Sequence, residues 1–149
     1  MDFAEVVATN KALVKTAKLY RGAQAALLAD LGLHPGQDVV LWTLGQEPTG
    51  LLVSEIAERL GIEQPTVTRT LARLEPGDWF TREPVPGDRR AVRIKLTEKG
   101  LAAVPQVEAV WRRLADTATT GLDPAERRQL VATLDRVRIN LTTLSADQD

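Results

Sequence analysis

The 149-residue sequence contains no cysteine and a single histidine, His34. A disulfide framework, a thiolate metal site and a thiol redox switch are thereby excluded. One imidazole supplies neither a zinc site nor a histidine-based catalytic pair. Long hydrophobic runs are missing too. The uncharged stretch Val39 to Gln46 falls far short of the about 20 apolar residues that a membrane span needs. No Gly-rich phosphate loop, nucleophile–base pair or metal cluster is present, so neither an enzyme nor a cofactor is expected. Asp2 and Glu5 stand where a secretory leader carries basic residues, so a cytoplasmic protein without a membrane partner is expected. Net charge is almost absent as well: 19 basic residues face 20 acidic ones, so only their local distribution can speak for or against nucleic acid. What remains is 44% hydrophobic and 26% charged, the composition of a globular domain. The length favours one domain over residues 1–149.

Apolar periodicity orders the chain. Phe3, Val6, Leu13, Ala17, Tyr20, Ala23, Leu27 and Leu31 fall on one helical stripe, which predicts a long amphipathic helix ended by Gly32. Pro35 suits the start of a second helix carrying Val39, Val40, Leu41, Trp42 and Leu44. Pro48-Thr49-Gly50 reads as a turn. Ser54 to Leu60 reads as a short helix, Gly61-Ile62-Glu63 as a tight break, and Gln64-Pro65 as the opening of another helix running to Leu74. Two short helices about a Gly-containing turn fit a helix-turn-helix or an ordinary helical hairpin. Next, Trp79 to Glu83 is strand-like, Pro84 to Asp88 is a turn-rich tip, and Val92, Ile94 and Leu96 alternate with Arg93 and Lys95. A hairpin directly after a recognition-type helix makes the unit a winged helix-turn-helix. A second long helix starts at Thr97, with a kink expected near Leu101 because Pro105 lies inside it. After Gly121, Asp123-Pro124-Ala125-Glu126 caps a last helix. Its Leu130, Leu134, Val137, Leu141 and Leu144 repeat at 4-3-4-3 spacing, a coiled-coil-like seam. The tail Ser145 to Asp149 is expected to fray. The fold class is mainly α with a small β-hairpin wing.

These residues resemble the MarR (multiple antibiotic resistance regulator) family of bacterial transcription factors. Asp88-Arg89-Arg90 followed by Leu96-Thr97-Glu98-Lys99-Gly100 fits the family's wing-to-helix signature, and Ser54 to Ile62 with Pro65 to Arg69 fits its helix-turn-helix. Three positions depart from the family pattern: Asp78 replaces a Gly before the wing strand, Glu63 replaces a small capping hydroxyl, and Leu52 replaces a capping Thr. The resemblance implies a twofold homodimer built from helices in 1–34 and 101–149, flanking a DNA-binding module at 35–100. The alternative is that the flanking helices only pack on each other within one chain.

Charge distribution agrees with DNA. Between Gln64 and Lys99 the basic residues are Arg69, Arg73, Arg82, Arg89, Arg90, Arg93, Lys95 and Lys99, against Glu75, Asp78, Glu83, Asp88 and Glu98. Gln64 and Arg69 suit bidentate contacts to base edges in the major groove. Thr66 and Thr68 suit phosphates or a thymine methyl, with Pro65 between Gln64 and Thr66 in the first turn, and Arg73 suits a phosphate. Arg89 and Arg90 at the wing suit an adjacent minor groove, with Asp88 orienting a nearby arginine. The expected function is a sequence-specific double-stranded DNA-binding regulator, a repressor on near-palindromic operators. The resemblance further implies release by a small aromatic or phenolic effector, with Tyr20, Arg21, His34, Trp42 and Trp111 as candidate lining residues or, alternatively, plain core. An effector-independent architectural DNA-binding protein is the rival reading, and a helical protein–protein adaptor is disfavoured by the basic wing.

Overall fold

The computed structural model describes residues 1–146. Two compact units divide the chain, one from Met1 to Leu114 and one from Ala115 onward. The first unit opens with helix α1 (Phe3–Ala29), capped by a reciprocal pair in which Asp2 Oδ1 accepts from the Glu5 N–H and Glu5 Oε2 accepts from the Asp2 N–H. This arrangement satisfies two amides that a helix start leaves open. Of the α1 side chains only Leu28 is fully buried; Phe3, Leu13 and Tyr20 of the expected stripe are exposed. Only the end of the stripe meets the core within one chain: Leu27 and Leu31 are half-buried, Leu31 against the core cluster.

Helix α2 (Gln37–Gly45) begins two residues later than Pro35 suggested, behind Gly36 at φ 96°. Pro35 instead lies in the turn. The Gly36 N–H donates to Asp38 Oδ1 at 2.9 Å, and the Gln37 side chain accepts from the His34 N–H at 2.9 Å. Strand β1 (Leu51–Leu52) was not foreseen, being only two residues long. It leads into α3 (Val53–Leu60), where the apolar Leu52 offers no side-chain cap but its N–H donates to Glu55 Oε2 at 2.7 Å. Gly61, in the left-handed region, ends α3, and α4 follows (Gln64–Leu74).

Strands β2 (Phe80–Val85) and β3 (Asp88–Leu96) form the wing in a three-stranded antiparallel sheet of order β1-β3-β2. Pro84 and Val85, expected in the tip, belong to β2, so the hairpin reaches further than the Gly/Pro content suggested. Ile94 and Leu96 are buried and Val92 half-buried, as their alternation predicted. Helix α5 (Glu98–Ala118) runs unbroken through Pro105. The core joins Leu28 and Leu33 to Leu41 and Leu44 of α2, Ile56 of α3, Val67 and Leu71 of α4, Ile94 of β3 and Val107 of α5.

In the second unit, helix α6 (Pro124–Ala146) starts at a complete capping box: Asp123 Oδ1 accepts from the Glu126 N–H and Glu126 Oε2 from the Asp123 N–H. Leu130, Leu134 and Leu141 are exposed and Val137 is half-buried. The Leu144 side chain and residues 147–149 of the expected frayed tail lie outside the described part; Ser145 and Ala146 are helical.

Candidate nucleic-acid interface

Helix α4 is amphipathic in a way that leaves one face for recognition. Glu63 supplies an extended N-cap at ψ 147° and Pro65 occupies the first turn, where its missing N–H has no helical partner. Val67, Leu71 and Leu74 are buried, whereas Gln64, Pro65, Thr68, Arg69 and Arg73 are exposed. Gln64–Thr68 and Arg69–Arg73 are four-residue steps, so each pair forms a row along the helix, the two rows about 100° apart around it. Thr66 is half-buried. Its hydroxyl accepts from Arg69 Nη2 at 3.3 Å and its carbonyl from the Thr70 hydroxyl at 3.0 Å.

The wing carries Arg89 and Arg90, both exposed, and among the described residues neither guanidinium pairs with an acid. Asp88 acts on the backbone: its Oδ1 accepts from the Arg90 N–H at 2.9 Å. The tip is thus ordered without consuming the arginine charge. A cleft of about 330 Å³ brings the two elements together, lined by Ser54 at the start of α3, Gln64 at the start of α4, and Arg82, Arg90 and Val92 of the wing.

Besides Arg69, three of the eight basic residues counted from the sequence are engaged inside the molecule. Arg82 Nε meets Glu75 at 3.1 Å and its guanidinium lies over the Phe80 ring. Arg93 Nη1 donates to the Gly50 carbonyl at 2.8 Å. Lys99 Nζ donates to the Gly77 carbonyl and sits 4.3 Å from the Trp79 ring centroid. The structure also explains the Leu96-to-Gly100 signature. Thr97 Oγ1 donates to the Asp78 carbonyl at 2.7 Å and accepts from the Gly100 N–H at 3.1 Å. A Cβ on Gly100 would run into the Trp79 carbonyl. Together Thr97, Lys99 and Gly100 lock the exit from α4, where Asp78 adopts φ 54°, the one non-glycine residue with positive φ among the described residues. The substitution of Asp for Gly is accommodated in the left-handed conformation itself.

The proposed effector residues fall in different places. Trp42 and Trp111 lie 5.5 Å apart, ring to ring, and line a surface groove of about 530 Å³ with Val39, Thr43, Gln46, Arg59 and Leu60. Their indole N–H groups are already committed, Trp42 to Glu108 at 3.0 Å and Trp111 to Asp38 at 2.8 Å. Tyr20 and Arg21 are exposed on α1, and His34 is exposed ahead of α2; none of the three lines this groove. Asp38, which sequence reasoning passed over, is 1% exposed and also accepts from Gln24 at 3.0 Å. Only the buried turn of α2 on which it sits reveals it.

Residues 33–92, spanning α2 to the middle of β3, match the MarR family. The winged module is a MarR-family module. Solved structures extend the likeness along the chain. The transcriptional regulator SlyA is 25% identical, with 91% of this chain and 94% of that one covered and a TM-score of 0.77. A MarR variant from E. coli, crystallised in complex with operator DNA, is 25% identical over 92% and 99% of the two chains, with a TM-score of 0.76. BpsR of Bordetella bronchiseptica is 25% identical over 93% and 96%, with a TM-score of 0.78. Its structure addresses regulation of DNA binding by 6-hydroxynicotinic acid. The MarR match ends at Val92, so the helix that follows the wing and α6 are related to these proteins through the shared fold.

Proposed function

We propose that this MarR-family chain is a sequence-specific, double-stranded DNA-binding transcriptional regulator. The carrying observation is that Gln64, Thr68, Arg69 and Arg73 are exposed on α4 and that Gln64 lines one cleft together with Arg90 of the wing. The E. coli relative bound to operator DNA supports it. In this reading α4 enters the major groove, where Arg69 and Gln64 meet base edges and Thr66, Thr68 and Arg73 meet the backbone or a thymine methyl. Arg90, with Arg89 beside it, enters the adjacent minor groove. The chemistry of this face is recognition rather than catalysis.

The finer reading is a cytoplasmic repressor that binds a near-palindromic operator as a homodimer and leaves it when a small aromatic effector binds. Exposed apolar side chains on α1 (Phe3, Val14, Leu19) and on α6 (Leu130, Leu134) support a second copy as partner, because such surface is costly in water. The Trp42–Trp111 groove supports an aromatic ligand, its walls coming from α2, α3 and α5 together. The regulated relative BpsR is consistent with it.

The deciding experiment is a gel shift with a duplex spanning the promoter of the protein's own gene, titrated with unrelated competitor DNA, followed by footprinting. Retention against a large competitor excess and a footprint with twofold symmetry are expected. Equal displacement by any duplex would make it an architectural DNA-binding protein instead.

A further inference from the structure

Arg93 lies on β3 three residues after Arg90, yet its guanidinium turns away from the wing tip. Its backbone pairs with Leu52 of β1. Its Nη1 donates to the Gly50 carbonyl at 2.8 Å and stands 3.8 Å from Glu55 Oε2. That carboxylate in turn accepts from the Leu52 N–H at 2.7 Å. Arg93, Gly50, Leu52 and Glu55 therefore close a circuit that ties the wing strand to the turn before β1, to β1 itself and to the first turn of α3. Gly50 is required for it. Its φ is +81°, and a Cβ there would stand 2.6 Å from the Ile94 carbonyl, so only glycine lets this turn lie against β3. The planar guanidinium suits the place, since one N–H reaches a carbonyl while the delocalised charge faces a carboxylate.

β1 offers only two residues of pairing to β3, a short anchor for a hairpin that projects into solvent. α3 packs on α4. The contacts of Arg93 thus tie the base of the wing to the α3–α4 pair, beside the Arg82–Glu75 ion pair at the end of α4. We propose that Arg93 is a positioning residue for DNA recognition. It stays off the duplex and holds the wing where Arg90 and the α4 face reach DNA together. This rests on the reading that the wing contacts DNA.

A double-mutant cycle tests it with four full-length proteins: wild type, R90A, R93M and the double variant. Binding to the own-promoter duplex is followed by fluorescence anisotropy across a KCl series, with melting temperatures alongside. R93M is expected to weaken binding about tenfold with the salt slope unchanged, and the effect of R90A should shrink about fivefold or more in the R93M background. A salt slope lowered by about one charge per subunit in R93M would show that Arg93 touches phosphate and would overturn the proposal. Additive losses with a lowered melting temperature would overturn it in favour of a merely structural role. Absence of any R90A effect in the wild-type background would remove the wing reading itself, and the proposal with it. Should R93M not fold, Glu55→Gln carries the test. Loss of a negative charge alone strengthens DNA binding, whereas loss of the circuit weakens it.

Discussion

The Trp111 indole N–H donates to Asp38 Oδ2 at 2.8 Å across 73 residues of sequence. The same oxygen accepts from Gln24 at 3.0 Å, and Oδ1 takes the Gly36 N–H at 2.9 Å. One carboxylate, almost wholly buried, therefore joins α1, the start of α2 and α5, and fixes the tryptophan that walls the groove. A buried carboxylate is tolerated when it is hydrogen-bonded, and both oxygens of this one accept.

Asp38→Ala leaves three donors without their acceptor. It is expected to destabilise the protein by about 2–4 kcal/mol, whereas Asp38→Asn, which keeps one oxygen, should cost less. Urea unfolding followed by tryptophan emission measures both. Equal, small losses would mean that water replaces the carboxylate freely.

The exposed apolar faces of α1 and α6 predict a homodimer. Light scattering should return about twice the 16.3 kDa chain mass. Leu134→Asp should dissociate it by placing a charge between the two copies. A monomer at micromolar concentration would end the dimer reading.

Arg69 lies outward on α4, and a single N–H of its guanidinium donates to the Thr66 hydroxyl at 3.3 Å, which leaves its other donors for a base. Arg69→Ala should cost about 1–3 kcal/mol and relax preference at one position of each half-site. Selection from a randomised duplex pool reads this directly. Uniform weakening across sequences would instead make Arg69 a phosphate contact.

Among the described residues no acid pairs with the Arg90 guanidinium, since Asp88 bonds the Arg90 backbone amide and not its side chain. Arg90→Ala is expected to weaken binding to all duplexes, most beside an A·T tract, and to flatten the salt dependence by about one charge per subunit. An unchanged slope with a lowered melting temperature would show that the side chain only orders the tip.

Gly100→Ala tests the lock between the α4 exit and α5. The added methyl meets backbone, the Trp79 carbonyl, which cannot rotate away as a side chain would. A loss of about 1–3 kcal/mol is expected, from overpacking against an immovable group. Thermal unfolding near wild-type temperature would show that α5 shifts at little cost.

Residues within one or two turns of each other were legible before any coordinates. The break at Gly61, the start of α4 at Gln64 and the Asp123–Glu126 cap depend on amides three or four positions away, and they stand where the pattern put them. The alternation of Val92, Ile94 and Leu96 likewise set which face of β3 is inward. The exposed α4 residues followed from the same logic, since burying Val67 and Leu71 turns Gln64, Thr68 and Arg69 outward.

Partners distant in sequence had no such signal, and there the tertiary structure decided. The charge count from Gln64 to Lys99 did not set Arg93 and Lys99 apart from their neighbours, but Arg93 finds a carbonyl 43 positions back and Lys99 one 22 positions back. Asp38 resembled any acid in a first helical turn until Gln24 and Trp111 closed over it. β1 was too short for a strand pattern and exists because β3 lies beside it. Periodicity and capping are local properties that the chain carries wherever it goes. Which charge reaches solvent and which is drawn into an intramolecular bond depends on groups that only folding brings within 3 Å of one another.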